Sequence, residues 1–245
     1  MTADERFALA LERAQKRPGQ GIGTQSERLI HSTIKYYLEP DDSCHEVRVG
    51  DYIADIFQKT DGHIYEIQTR GFDRLRDKLS SFLKNYRVTV VHPVVREKYL
   101  CWVDPDTGEI AKRRRSPRRG SPIDILPEIY RLPNLQTHPN LRFMAFLLDV
   151  EEYRLLDGWS RDKKKGSHRM ERLPLAIQEP VMIGDKADYI ALLPALPEPF
   201  TRKALAASFK LSPRNTAFAV RVLERAECIE QIGKQGREYV YRVIK

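Results

Sequence analysis

The chain has 245 residues, 41% of them hydrophobic, enough for one large domain or two smaller ones around a sizeable core. Apolar runs of only about five to seven residues exclude a membrane helix, which needs roughly 20, and the charged, amphipathic start is unlike a secretory signal, so a cytoplasmic protein is expected. Cys44, Cys101 and Cys228 form no CxxC pair, which argues against a disulfide framework or a thiolate zinc site, while the net charge of +8 favours a polyanionic partner.

The spacing predicts a helix over residues 4–17, closed by "RPGQGIG", and a second in "TQSERLIHSTIKYYLEP", where Leu29, Ile30, Ile34, Tyr37 and Leu38 share a face and Pro40 ends it. Three strands are expected next, "HEVRVG" (45–50), "YIADIFQ" (52–58) and "HIYEIQT" (63–69), with "KTDG" as the turn between the last two. A helix follows from Phe72 to Tyr86, its apolar residues recurring at three and four, and then the continuous apolar strand "VTVVHPV" (88–94). The order is α-β-β-β-α-β. Beyond it, residues 98–111 read as a hairpin around "DPDTG", and "LRFMAFLLDV" (141–150) is a buried strand or a short helix, which periodicity does not separate. At the C-terminal end come two helices, "TRKALAASFK" and "LSPRNTAFAVRVLERAE", the second with Ser212 as N-cap and Pro213 at N1, then a β-hairpin around "KQG"; that succession is the pattern of a winged helix.

Each strand of the central hairpin carries a carboxylate in an apolar setting. Alternation puts Glu66 and Gln68 on one face of their strand, and the short turn folds Asp55 back beside them. Two ionised carboxylates this close in a mostly apolar sheet repel each other and are poorly solvated, so they need a proton or a cation between them. Mg²⁺ suits such a place, because it takes hard oxygen ligands and needs only one or two carboxylates beside waters and substrate phosphate.

Glu27 on a helix, Asp55 on the second strand and "EIQ" (Glu66 and Gln68) on the third, in this order of elements, resemble the PD-(D/E)xK nuclease superfamily and its restriction-endonuclease-like fold over residues 20–95. The resemblance implies Mg²⁺ or Mn²⁺ held by Asp55 and Glu66, a water attacking phosphate, and assistance from Glu27; Gln68 would position the water. Glu27 also fits a capping box with Thr24. Two positions depart from the family pattern: Ala54 stands where the namesake proline would, and Gln68 holds the lysine position, as in some restriction enzymes of the superfamily. The missing cation directs attention to Lys78 and Arg70, though each also reads as a surface or salt-bridge residue. His31, His45, His63 and His92 show no metal-ligand spacing and read as packed or surface residues.

Basic residues mark the expected DNA contacts. "KRRRSPRR" (112–119) has six basic residues in eight and supplies Arg113, Arg114 and Arg115; "RDKKKGSHRMER" (161–172) supplies Lys163, Lys164 and Lys165. On the second C-terminal helix Arg214, Arg221 and Arg225 share a face opposite Ala217, Val220 and Leu223, with Asn215 near its start, while Lys234 and Arg237 flank the hairpin turn.

The expected organisation is an N-terminal helix and linker (1–19), a nuclease-like domain (20–190, core 20–95, extension 96–190) and a winged helix (191–245). The expected activity is metal-dependent hydrolysis of DNA phosphodiesters, on duplex or branched DNA, with no membrane partner. Because a winged helix can also dimerise, a homodimer stays open. Two alternatives stand beside it: a non-catalytic DNA-binding or regulatory protein on a degenerate nuclease fold, and an RNA-processing nuclease.

Overall fold

A computed structural model describes residues 1–16, 25–158, 168–193 and 195–244, the side chains of 25–28 excepted. In chain order its elements are α1 (Ala3–Lys16), α2 (Gln25–Leu38), β1 (His45–Val49), β2 (Tyr52–Gln58), β3 (His63–Ile67), α3 (Arg76–Phe82), β4 (Arg87–Val103), β5 (Arg114–Arg115), α4 (Leu126–Ile129), β6 (Leu141–Leu155), β7 (His168–Ile177), β8 (Val181–Ile183), α5 (Lys186–Ala191), β9 (Phe200–Thr201), α6 (Arg202–Phe209), α7 (Pro213–Arg225), β10 (Ile229–Gln235) and β11 (Glu238–Val243). The protein is mixed α/β, with a mixed multi-stranded sheet and a separate three-stranded sheet in the order β10-β11-β9. No helix among the described residues is long and apolar enough to cross a membrane.

Two compact units interleave along the chain. The first comprises residues 1–45, 93–120 and 146–179; the second comprises 46–92, 121–145 and 180–245. In the first, α1 lies along α2, burying Phe7, Ala10 and Ala14 on one side and Leu29, Ile30 and Ile34 on the other, and the Tyr37 ring meets Phe146 edge-on at 5.3 Å. Its strands β4, β6 and β7 are neighbours, and β5 pairs with β4 through Tyr99↔Arg115 and Leu100↔Arg114.

The second unit holds the elements around the acidic hairpin. Strands β2 and β3 are antiparallel, with Ile56 opposite Tyr65 and Phe57 opposite Ile64, whereas β3 and β4 are parallel, with Glu66 beside Val90. A parallel neighbour needs a crossover, and α3 provides it. The helix expected over 72–86 is shorter than its apolar period suggests. Residues Phe72–Leu75 form a 3-10 turn, α3 ends at Phe82, and Tyr86 N–H returns to the Phe82 carbonyl before β4 begins. Gly71, at a φ of 74° that a side chain would strain, opens this segment. Phe72, Leu79 and Phe82 are fully buried with Ile64, Val88 and Val90.

Residues 141–150, open between strand and helix in the sequence, are strand, and β6 runs on to Leu155. The hairpin expected at 98–111 closes through a single bridge, Val103↔Ile110, because its first arm is the end of the long β4. In the C-terminal segment Ser212 Oγ accepts the Asn215 N–H at the start of α7, and Thr216, Ala219, Val220, Val222 and Leu223 are buried.

Candidate functional site

Extending the register of β2 and β3 by one residue sets Asp55 directly opposite Glu66. The side chains confirm the juxtaposition. Asp55 Oδ2 accepts the Ile67 N–H at 2.8 Å, and the Asp55 N–H reaches Glu66 Oε1 at 3.3 Å, so each carboxylate bonds to the backbone of the other's strand. Glu66 is only 2% exposed. Burial, and then the charge of Asp55, push its carboxyl up to about 7, against the opposing pull of Lys78.

Lys78 enters from the middle of α3, where its Nζ donates to Glu66 Oε2. Its position at the edge of the apolar stripe was visible in the sequence; its reach to Glu66 depends on how the 3-10 turn sets the helix over β3. Lys78, one of the two basic neighbours suggested there, is thus found on the acidic pair.

The side-chain amide nitrogen of Gln68 is engaged. Its Nε2 donates to the Arg70 carbonyl at 2.6 Å, while its backbone N–H bonds to Val91 and its carbonyl accepts from His92 Nδ1 at 2.9 Å. The last bond fixes the His92 tautomer with its proton on Nδ1. Burial lowers the pKa of His92 and so favours the neutral ring.

Glu128, which no sequence signal marks, holds the next turn. Its Oε2 accepts the Gly71 N–H at 2.7 Å and the Phe72 N–H at 3.3 Å, donors left open at the start of a helical segment. Arg131 pairs with both Glu128 and Asp73. The carboxylate thus pins the link between Gln68 and the helix carrying Lys78. Glu27 lies in α2, in the first unit, and its side chain is outside the described residues.

The expected DNA contacts fall into distinct settings. Arg113 pairs with Glu151 at 2.8 Å and lies over the Tyr99 ring; Arg115 and Arg119 both pair with Glu97. Arg114 is exposed. The run is therefore partly neutralised by carboxylates of neighbouring strands. Lys163, Lys164 and Lys165 are outside the described residues. Arg214, Arg221 and Arg225 are exposed on α7, but the same stripe carries Phe218, whose ring stacks on Tyr130 at 4.3 Å. Arg225 lies over Tyr130 and bonds to its carbonyl, and Arg221 pairs with Glu224. At the start of the helix the exposed Arg214 lies over the Phe218 ring at 5.4 Å, and Asn215 is half-buried. At the β10–β11 turn Lys234 lies over Tyr239, and Arg237 is exposed.

A family model described as "Domain of unknown function (DUF8091)" matches residues 28–184. The chain belongs to this family. A protein of Treponema pallidum (strain Nichols) described as uncharacterized is 32% identical over 222 residues, which is 90% of this chain and 87% of that protein. No solved structure matches. The DUF8091 region contains Asp55, Glu66, Gln68, Lys78 and Glu128 and ends before the segment that forms β9, α6, α7, β10 and β11.

The donor set suits a hard divalent cation. Asp55 and Glu66 offer carboxylate oxygens on adjacent strands, and burial first, then the charge of Asp55, disfavours the ionised form of Glu66, a cost that a cation would offset. Among the described residues no cluster of three or more acidic, histidine or cysteine ligands occurs, so any ion here would complete its shell with water and substrate oxygens, as Mg²⁺ usually does.

Proposed function

We propose that the protein is a metal-dependent nuclease of the PD-(D/E)xK kind that hydrolyses phosphodiesters of DNA, with its C-terminal segment as a winged helix. The observation that carries this reading is the buried Asp55–Glu66 pair with Lys78 on it. The order α2-β1-β2-β3-α3-β4, with β2 and β3 antiparallel and β4 parallel to β3, supports the restriction-endonuclease-like fold. The order α5-β9-α6-α7-β10-β11, with a three-stranded sheet, supports the winged helix.

Asp55 and Glu66 would hold Mg²⁺ or Mn²⁺. When bound, such an ion lowers the pKa of water and offsets charge on phosphoryl oxygens. The chain's own residues supply the rest. Lys78 stands where Gln68 fails to provide a cation, keeping Glu66 oriented and lending positive charge beside the reacting phosphate. Gln68 fixes the end of β3 through both backbone bonds, and Glu128 holds the turn that aims α3. Arg214 and Asn215 at the start of α7, and Arg237 at the hairpin turn, are the contacts best placed for DNA phosphates and base edges.

The Lys78–Glu66 ion pair also favours a second reading, a DNA-binding protein in which lysine has replaced the metal as the charge partner. A cleavage panel separates the two. Purified protein with Mg²⁺ or Mn²⁺ is expected to cut at least one of duplex, branched or single-stranded DNA, in preference to RNA. Salt-sensitive binding to all the DNA forms with no cleavage would support the second reading instead.

A further inference from the structure

Away from the acidic pair, at the other end of β3, the second unit contains a cleft of 160 Å³ lined by His63, Arg87, Thr89, Asn140, Arg142 and Met182, among other residues. We propose that this cleft binds a terminal phosphate monoester, carried by a nucleic-acid end or by a free nucleotide.

Four observations carry the inference. First, Arg87 and Arg142 both line the cleft, and among the described residues no carboxylate lies within 4.0 Å of either guanidinium, although Arg96, Arg113, Arg115, Arg131 and Arg172 all have such partners. The Arg87 guanidinium donates to the Asp61 carbonyl at 3.0 Å through one nitrogen, which leaves most of its five N–H donors for a ligand. Second, His63 is anchored: its Nε2 lies 2.8 Å from the hydroxyl of the fully buried Thr89, and its ring stacks on Tyr65 at 4.4 Å. Burial, and then the charge of Arg87, hold the imidazole below its usual pKa, Arg142 adding to the effect against Asp61, so the ring is a neutral hydrogen-bonding group beside two positive ones. Third, Gly184 makes room for Arg142. A Cβ there would come within 3.0 to 3.2 Å of Cγ, Nε and Cδ of the arginine, so the bare backbone serves as the bed along which that side chain lies. Fourth, the volume equals roughly five waters at about 30 Å³ each, room for a phosphate and part of the group that carries it.

The chemistry selects the ligand. Planar guanidiniums bind phosphate oxygens in paired hydrogen bonds, and two of them match the two charges of a monoester better than the single charge of a diester. The site uses neither Asp55 nor Glu66, so it stands whether or not the protein cleaves DNA.

Binding would be measured by fluorescence anisotropy on the full chain in EDTA, with a short single-stranded DNA oligonucleotide labelled at its 3′ end and carrying either a 5′-phosphate or a 5′-hydroxyl. The phosphorylated form is expected to bind at least about tenfold more tightly. Arg142→Gln and Arg87→Gln should each remove most of that preference, and Lys84→Gln, an exposed lysine outside the cleft, should leave it intact. Competition by a nucleoside 5′-monophosphate would identify the free nucleotide as a sufficient ligand; preference for the phosphorylated oligonucleotide without that competition would assign the site to a polynucleotide end. Equal affinity for the two oligonucleotides with no binding of the monophosphate, or a preference that survives Arg142→Gln in folded protein, would overturn the proposal.

Discussion

Glu152→Gln is expected to destabilise the protein by about 3–5 kcal/mol, the usual cost of removing one partner from a buried ionic cluster. Glu152 is 0% exposed and lies among four cations of the first unit: Arg154 and Arg172 bond to it, with Arg169 at 3.4 Å and Lys98 at 3.7 Å. Burial alone would raise its carboxyl. The Arg172 hydrogen bond and charge, then Lys98 and Arg154, outweigh burial and bring the carboxyl to about 2. A neutral amide would leave those cations half-buried and facing one another. The sign with pH follows. A depressed carboxyl contributes stability above its unfolded value of 4.5, and that contribution is lost as pH falls toward 2. Denaturant unfolding at neutral pH checks the magnitude, and a shallower acid transition in the variant checks the cause. A loss under about 1 kcal/mol would mean the cluster is only a surface feature.

The second large effect concerns activity. Asp55→Ala is expected to lower kcat/KM for DNA cleavage by at least about a thousandfold, because it removes one of two carboxylates and several kcal/mol of transition-state stabilisation with it. Lys78→Met should cost about a hundredfold, the usual order for removing one preorganised charge donor. The two variants also differ in pH dependence. Loss of Asp55 removes a like charge from Glu66, so the acidic limb of the rate profile moves down; loss of Lys78 removes its counter-charge, so that limb moves up. Rate loss with an unchanged profile would mark Lys78 as a packing residue.

The acidic hairpin was legible in the sequence because a short turn and strict alternation leave little freedom: once "YIADIFQ" and "HIYEIQT" pair, Asp55 must meet Glu66. The C-terminal helices were equally plain, since Ser212, Pro213 and the apolar spacing act locally. What escaped was what depends on distant partners. Strand β7 begins inside "RDKKKGSHRMER" (161–172), a run read as a basic DNA contact, yet its Arg169 and Arg172 meet Glu152 on β6. Arg113 and Arg115 read as free cations for the same reason, because Glu151 and Glu97 come from other strands. Glu128 lies in a short helix without periodicity and acts on backbone more than 50 residues away, which no local pattern encodes. Gln68, expected within the strand, lies just past the end of β3 at Ile67 and donates its amide nitrogen to the Arg70 carbonyl.

Thermal stability measured from pH 5 to pH 8, with and without Mn²⁺, tests most directly whether the acidic pair is a cation site. Glu66 has a carboxyl raised from 4.5 to about 7, so the native state holds an extra proton between those values and wild type should lose stability across that window. His63 and His92, both lowered, act in the opposite direction as pH falls below about 6.5, so the comparison is with Glu66→Gln, which should remove only the acidic contribution. Mn²⁺ should restore wild type chiefly at pH 8, and Asp55→Asn and Glu66→Gln should not respond. A wild-type midpoint indifferent to Mn²⁺ at pH 8, with the same pH slope in Glu66→Gln, would contradict the account.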